Sequence, residues 1–429
     1  MNNGLTKVSE IIEEISMGPF GSDIKVDNFV ESGVPVLNGA NLPKFKLLEE
    51  EFRYVTVDKA KTFRKAIAKR GDIVITHRGT IGQISYIPEN SKFEEYVISQ
   101  SQFRVALNKK LVDPAFFVYY FHTNEGQKRL LANKCHVGVP ALAQATTNFR
   151  LIEIPLPNIQ SQLKIAAVLS ALDSKIELNN RINAELESMA KTLYDFWFVQ
   201  FDFPDKNGKP YKTSGGKMIW SEGLNREIPE GWEVGTLGDV AELVRGVTYG
   251  SDDIKSQSAS DVIPILRATN ISGNVIDLNN MVFVPKQNVS NAQLLNKYDI
   301  LITMSSGSKE HIGKNGIFYY EREASFGAFC AKIVANAEYR YYLYSFTQSD
   351  FMFTTIKNEC LGTNINNLNG SLVKGFKLII PPNKLINSFK VKVNPVYEKI
   401  GNNLKENQKL TELRDWLLPM LMNGQVKVN

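Results

Sequence analysis

The chain has 429 residues, 43% of them hydrophobic and 22% charged, which is ordinary for folded protein. That is too long for one small core, so two domains plus connecting elements are expected. Fifty basic and 45 acidic residues leave a net charge of +5, which suits a nucleic-acid binder and equally many enzymes.

The polar, acidic stretch from Met1 to Glu14 does not read as a signal peptide, and no apolar run reaches the roughly 20 residues that span a bilayer. Cys135, Cys330 and Cys360 are far apart with no CxxC pair, which argues against a disulfide framework or a cysteine zinc site and fits a cytoplasmic protein.

Gly21-Ser22-Asp23 is the first of several segments that return, here as Gly250-Ser251-Asp252. Val34-Pro35-Val36-Leu37 with Asn41 recurs at the same offset as Ile263-Pro264-Ile265-Leu266 with Asn270. At slightly shorter offsets, Gly71-Asp72-Ile73-Val74-Ile75-Thr76 returns as Tyr298-Asp299-Ile300-Leu301-Ile302-Thr303, and Ile154-Pro155-Leu156-Pro157 has its partner in Ile380-Pro381-Pro382. Ordered matches with slowly drifting offsets indicate a duplicated domain carrying loop insertions. Within each copy, 72–76 and 299–303 are β-branched runs bounded by turn residues and predict strands, as do 103–107 and 329–334. Aromatic residues at helical spacing predict helices within 113–131 and 339–356. The expected fold class is α+β, with tandem mixed α/β domains over 1–157 and 232–382 and the strand order left open.

After Pro157 the pattern becomes a heptad: Ile165, Leu169, Leu172, Ile176, Asn179, Asn183, Leu186, Ala190, Leu193 and Trp197. The same seam returns without a gap as Phe389, Val393, Val396, Ile400, Asn403, Asn407, Leu410, Arg414, Leu417 and Leu421. Two long spacer helices, over 158–200 and 383–424, are expected to form an antiparallel coiled coil. Asn179 would then face Asn407 and Asn183 face Asn403, because an amide in a seam fixes register. Arg414 alone breaks the apolar rule, and Leu413 could replace it after a small rotation. The stretch 201–231 reads as a linker, flexible around Pro204-Asp205-Lys206.

Catalytic tools are missing. Gly307-Ser308-Lys309-Glu310-His311-Ile312-Gly313-Lys314-Asn315 approaches a P-loop, but its glycines are one residue too far apart and Asn315 stands where a hydroxyl belongs. Ile380-Pro381-Pro382-Asn383 lacks the Asn/Asp-Pro-Pro-aromatic order with which an adenine methyltransferase grips a flipped base. His77, His122, His136 and His311 are scattered without ligand spacing, so no metal or cofactor is expected on this chain.

The loops after the repeated strands suit DNA better. His77-Arg78-Gly79-Thr80-Ile81-Gly82 and Met304-Ser305-Ser306-Gly307-Ser308-Lys309 combine small residues, hydroxyls and a cation. Asn38 and Asn41, with Arg267 and Asn270 in the second copy, follow another strand, and Gln100 and Gln102 add amides suited to adenine edges. A self-contained methyltransferase or nuclease and a protein-only coiled-coil scaffold are the alternatives; the missing motifs oppose the first, the duplicated loop chemistry the second.

Pro155-Leu156-Pro157-Asn158-Ile159-Gln160-Ser161-Gln162-Leu163-Lys164-Ile165-Ala166, then Leu172-Asp173-Ser174-Lys175-Ile176, resembles the specificity subunits of type I restriction-modification systems. Ile228-Pro229-Glu230-Gly231-Trp232-Glu233-Val234 looks like the same family's signature, as does Arg70-Gly71-Asp72-Ile73 with Arg78-Gly79-Thr80-Ile81-Gly82. The resemblance covers essentially the whole chain. It implies two target-recognition domains, each reading half of a split sequence in double-stranded DNA, with an antiparallel coiled coil as a ruler. It further implies a non-catalytic chain that docks two adenine-N6 methyltransferase subunits carrying S-adenosylmethionine. In full complexes two translocating nuclease subunits join, using ATP and Mg. The family usually has Glu-Gln where this chain has Ser161-Gln162, and the second copy has Asn387-Ser388 with no Gln.

Overall fold

A computed structural model describes residues 5–21, 23–135, 138–361 and 367–428, with the side chains of Lys309 and of 359–361 left out. The chain divides into two compact units, Met1–Glu177 with Gln408–Asn429, and Leu178–Asn407. Each long helix therefore supplies its first part to one unit and its last part to the other.

The first unit is built on a four-stranded antiparallel sheet in the spatial order Ile12–Met17, Gln102–Leu107, Ile73–Thr76, Ile84–Tyr86. Strand Ile73–Thr76 is wholly buried, as its unbroken β-branched run requires. Helices Pro114–Phe121 and Asn124–Leu130 accompany this sheet; Asp113 caps the first with Pro114 at its opening position, and Thr123 caps the second. Phe103, Phe116, Phe117, Phe121 and Phe149 pack in its core. A second sheet carries Arg53–Val55, Val34–Val36 and Glu95–Val97 as neighbours, the last pair parallel.

The second unit repeats the plan. Its four-stranded sheet runs Ala241–Arg245, Cys330–Ala335, Ile300–Thr303, Asn315–Ile317, again antiparallel throughout. Val282–Pro285, Val262–Leu266 and Ser325–Phe326 reproduce the second sheet, including its parallel pair. A buried ion pair recurs with it. Asp72 accepts from Arg104 Nη1 at 3.2 Å and from the Lys69 amide at 2.9 Å; Asp299 accepts from Lys332 Nζ at 3.2 Å and from the Asn296 amide at 2.8 Å. The residue before each aspartate turns through positive φ, Gly71 at 86° and Tyr298 at 75°.

The long helices run Ile159–Tyr194 and Asn383–Met422 and pack together antiparallel. In the second unit, Asn179 Nδ2 donates to Asn407 Oδ1 at 2.9 Å and Asn403 Nδ2 donates to Asn183 Oδ1 at 2.8 Å. Asn180 and Glu406 complete the network, accepting from Asn407 and Asn179 at 2.8 Å each. In the first unit Arg414 keeps its place in the seam and Leu413 stays exposed, so the suggested exchange does not occur. The reason is Asp173, buried opposite: Arg414 Nη1 reaches its Oδ1 at 2.8 Å, Tyr119 donates to its Oδ2, and the guanidinium lies over the Phe45 ring.

Gln162 opens the first long helix with three buried hydrogen bonds, accepting from the Asp113 amide at 2.9 Å and donating to Leu111 O and Pro157 O at 3.0 and 2.7 Å. By the offset of the helical seam, the counterpart in the second long helix is Ile386 and not Ser388 of the Asn387-Ser388 pair; fully buried, it replaces this polar clasp with packing.

The first helix ends in a π-helical turn, Asp195–Val199, that buries Trp197 and Phe198. The segment that follows is ordered, not the flexible linker expected around Pro204-Asp205-Lys206. Phe203 stacks between Tyr211 and Trp232, with ring centroids at 4.7 and 5.0 Å, and Met218–Ser221 pairs with Arg226–Pro229 in a hairpin. Aromatic burial outweighs the glycine and lysine content that suggested disorder. No helix among the described residues is long and apolar enough to cross a membrane.

Candidate nucleic-acid interface

The register of the first unit brings several loops to one end of its sheets. Thr76 pairs with Gln102 and Met17 with Phe103, so the chain leaves or enters the four-stranded sheet there at 18, 77 and 101. Val36 pairs with Val97, delivering Asn38 and Ser99 to the same end. The His77 amide donates to Ser101 O at 2.8 Å, the Gly18 amide to Gln102 O at 2.9 Å and the Leu37 amide to Val97 O at 2.8 Å. A Cβ on Gly18 would run into the Ser99 carbonyl, so this approach needs glycine.

Asn38, Arg78, Gly79, Thr80 and Gln100 are exposed on these loops. Gly79 turns at φ 84° while its amide donates to Pro140 O at 2.9 Å, and Thr80 Oγ1 donates to Gln83 Oε1 at 2.6 Å. Asn38 and Gln100 share a cleft of about 350 Å³ with Phe20, Ile24, Phe29 and Arg53. Phe20 is 82% exposed, and Arg53 lies over the Phe29 ring at 5.2 Å. Burial holds the His77 imidazole below its ordinary pKa, and neighbouring Arg78 adds to this.

Asn41 and Gln102 are instead buried. Asn41 Oδ1 accepts from the Asn38 amide at 3.0 Å while its Nδ2 donates to Leu48 O and Glu50 O at 3.1 and 2.9 Å. Gln102 Oε1 accepts from the Ser99 amide at 3.0 Å. Both side chains hold the loops that carry the exposed ones.

The second unit assembles the same end. The Gly246 amide donates to Cys330 O at 3.2 Å, and a Cβ there would strike the Gly327 carbonyl. Asn270 Oδ1 accepts from the Arg267 amide at 2.9 Å, and its Nδ2 donates to Asp277 O and Asn279 O at 3.0 and 2.7 Å. Arg267 is half-buried, with Nη2 donating to Asn280 O at 2.9 Å. Met304 and Ser305 amides donate to Phe329 O at 2.8 and 3.1 Å, and the Phe329 ring is 68% exposed. Ser306 Oγ accepts from the Ser308 amide at 3.2 Å. Lys309 begins a 3-10 turn in this loop; its side chain, like His136, lies outside the described residues.

Gly18 with Phe20, and Gly246 with Tyr249, escaped the sequence reading. The signal was there: these residues extend the repeated Gly-Ser-Asp upstream at nearly the same offset. Among the described residues no cluster of three or more His, Cys, Asp or Glu could hold a metal.

A family model described as the type I restriction modification DNA specificity domain matches residues 24–188 and again 229–393. The chain belongs to this family. It is a DNA-binding specificity subunit of a type I restriction-modification complex, with tandem recognition domains, a coiled-coil connection and a recognition rather than a catalytic role. The type I restriction enzyme MjaIX specificity subunit of Methanocaldococcus jannaschii is 26% identical over 407 residues, covering 94% of this chain and 89% of that protein. The Escherichia coli EcoKI specificity subunit is 35% identical over 161 residues, covering 36% and 34% of the two chains. The crystal structure of the type I system S subunit from M. genitalium shares the fold, with a TM-score of 0.55 and 17% identity over 98% of this chain and 96% of that one. Each match to the family model runs from a recognition domain into the long helix that follows it, so this specificity subunit carries the family's unit twice.

Proposed function

We propose that the recognition domains, over 1–157 and 232–382, each read one half of a split double-stranded DNA target. The long helices, over 158–200 and 383–424, set the spacer between the halves and dock two adenine-N6 methyltransferase subunits; 201–231 connects the first helix to the second reader. The methyltransferases would supply S-adenosylmethionine and catalysis, and restriction subunits, where they join, would supply ATP- and Mg-dependent translocation and cleavage. One observation carries this reading: the same loop-bearing end is built twice on the same strand order, with different side chains on its loops.

Asn38, Arg78, Thr80 and Gln100 in one domain, and Arg267, Ser305, Ser306 and Lys309 in the other, are the proposed DNA-facing side chains. Gly79 lets backbone approach phosphate. Asn41, Asn270 and Gln102 act by holding loops, and Asn179, Asn183, Asn403 and Asn407 by holding register.

Mapping N6-methyladenine across the genome with and without this chain tests the proposal. A two-part motif with a fixed spacer should vanish on deletion. Unchanged methylation, or loss of a single continuous motif, would refute it.

A further inference from the structure

Asn41 and Asn270 do the same work in the two domains, each bonding the amide three residues earlier and two carbonyls of the following loop. The residues they aim, Asn38 and Arg267, therefore leave equivalent strands in equivalent backbone poses, at ψ 179° and 169°. Their surroundings correspond as well. Asn38 shares its cleft with Phe20, Ser99 and Gln100; Tyr249 is close enough to Arg267 to feel its charge and packs beside Gly327. The backbone bonds from Gln102 to Ser99 and from Cys330 to Gly327, at 3.0 and 2.8 Å, set this alignment, which places Ala328 opposite Gln100.

The turn itself does not require either side chain. Asn38 Oδ1 accepts from the Ala40 amide at 2.7 Å, but the second domain closes the same 3-10 turn with Arg267, whose side chain makes no such cap. What differs is hydrogen-bonding character. Asn38 keeps one Oδ1 lone pair and both Nδ2 hydrogens, an acceptor beside a donor, and Gln100 offers a second amide across the cleft. That pattern matches the N6 donor and N7 acceptor of adenine. Arg267 offers donors alone. Its bond to Asn280 O takes one Nη2 hydrogen and braces the guanidinium, whose Nη1 remains a donor suited to the paired acceptors O6 and N7 of guanine.

We infer that Asn38 and Arg267 occupy one equivalent base-reading position, which selects adenine in the half-site of the first domain and guanine in that of the second. The inference rests on the proposal that the two domains read separate halves.

The test uses the assembled methyltransferase complex with Asn38→Arg or Arg267→Asn in the full chain. Methylated-site maps should show adenine replaced by guanine at one position of one half-site for Asn38→Arg. Arg267→Asn should give the reverse change in the other half-site, each altering base preference on the order of 10- to 100-fold. Asn38→Ala and Arg267→Ala, assayed by competition with duplexes carrying each base in turn, cover the case in which an exchanged side chain abolishes methylation. Relaxed preference at a single position supports the inference. An unchanged motif, or equal weakening on every sequence as expected for a phosphate contact, overturns it. If the unaltered complex yields no split motif, the parent proposal fails instead.

Discussion

At the scale of single residues, buried polar groups explain most of what the two copies share. Lys332 and Asp299 are only 4% and 8% exposed, so removing one partner leaves a charge in a site that cannot solvate it. Asp299→Ala should destabilise the second domain by about 3–5 kcal/mol in urea titration, and Asp299→Ala with Lys332→Met by much less. Equal losses would show that the pair does not act as a pair. Gly18→Ala and Gly246→Ala should each cost about 1–3 kcal/mol, since the added methyl meets backbone and not a side chain that could swing away. Each should also blur one half-site and spare the other in methylation maps. The repeated Gly71-Asp72 and Tyr298-Asp299 were legible as strand entrances. Their cations were not, because Arg104 and Lys332 lie 32 and 33 residues away and meet the aspartates only through sheet register. Asn41 and Asn270 were legible as repeated amides, but nothing in their spacing told a loop brace from a reader.

At the scale of elements, the helical seam was the most readable part of the chain, because heptad spacing encodes its own partner face. The asparagine pairing followed from the offset between the helices. The Asp173–Arg414 pair did not, since Asp173 lies beside the apolar seam position Leu172 and needs Tyr119 from another element to be held. Asn179→Leu should cost about 1–3 kcal/mol by leaving the buried Asn407 Oδ1 without its donor, and Asn179→Leu with Asn407→Leu should recover most of it. A double-mutant cycle with no coupling would contradict the pairing. His122, packed at a tilt against Phe45 with ring centroids 4.3 Å apart and Nε2 2.9 Å from Ile84 O, offers a pH test. Burial lowers its folded pKa below the ordinary value of 6.5. The neutral ring therefore contributes stability fully present above that value and lost as pH falls through the folded pKa. His122→Gln should flatten the fall in denaturation midpoint of the first domain below that pH; an unchanged slope would assign the acid sensitivity to other groups.

At the scale of the whole molecule, duplication separates what is held constant from what varies. Strand order, the buried ion pair, the loop-bracing asparagine and the seam amides recur. The side chains at 38 and 267, at 100 and 328, and the loops 77–82 and 304–313, which differ in length, do not. This is the division expected of a constant frame carrying two different readers, and under the proposed function it would make spacing and sequence independent properties of the target. Removing one heptad from each long helix shortens the frame by roughly 10 Å, about three base pairs of duplex. Mapping N6-methyladenine with that shortened chain is the decisive measurement of whether the helices set the spacer. The same two half-site sequences should return with a spacer about three base pairs shorter; an unaltered spacer, or changed half-site sequences, would rule out helices that set spacing independently of the readers.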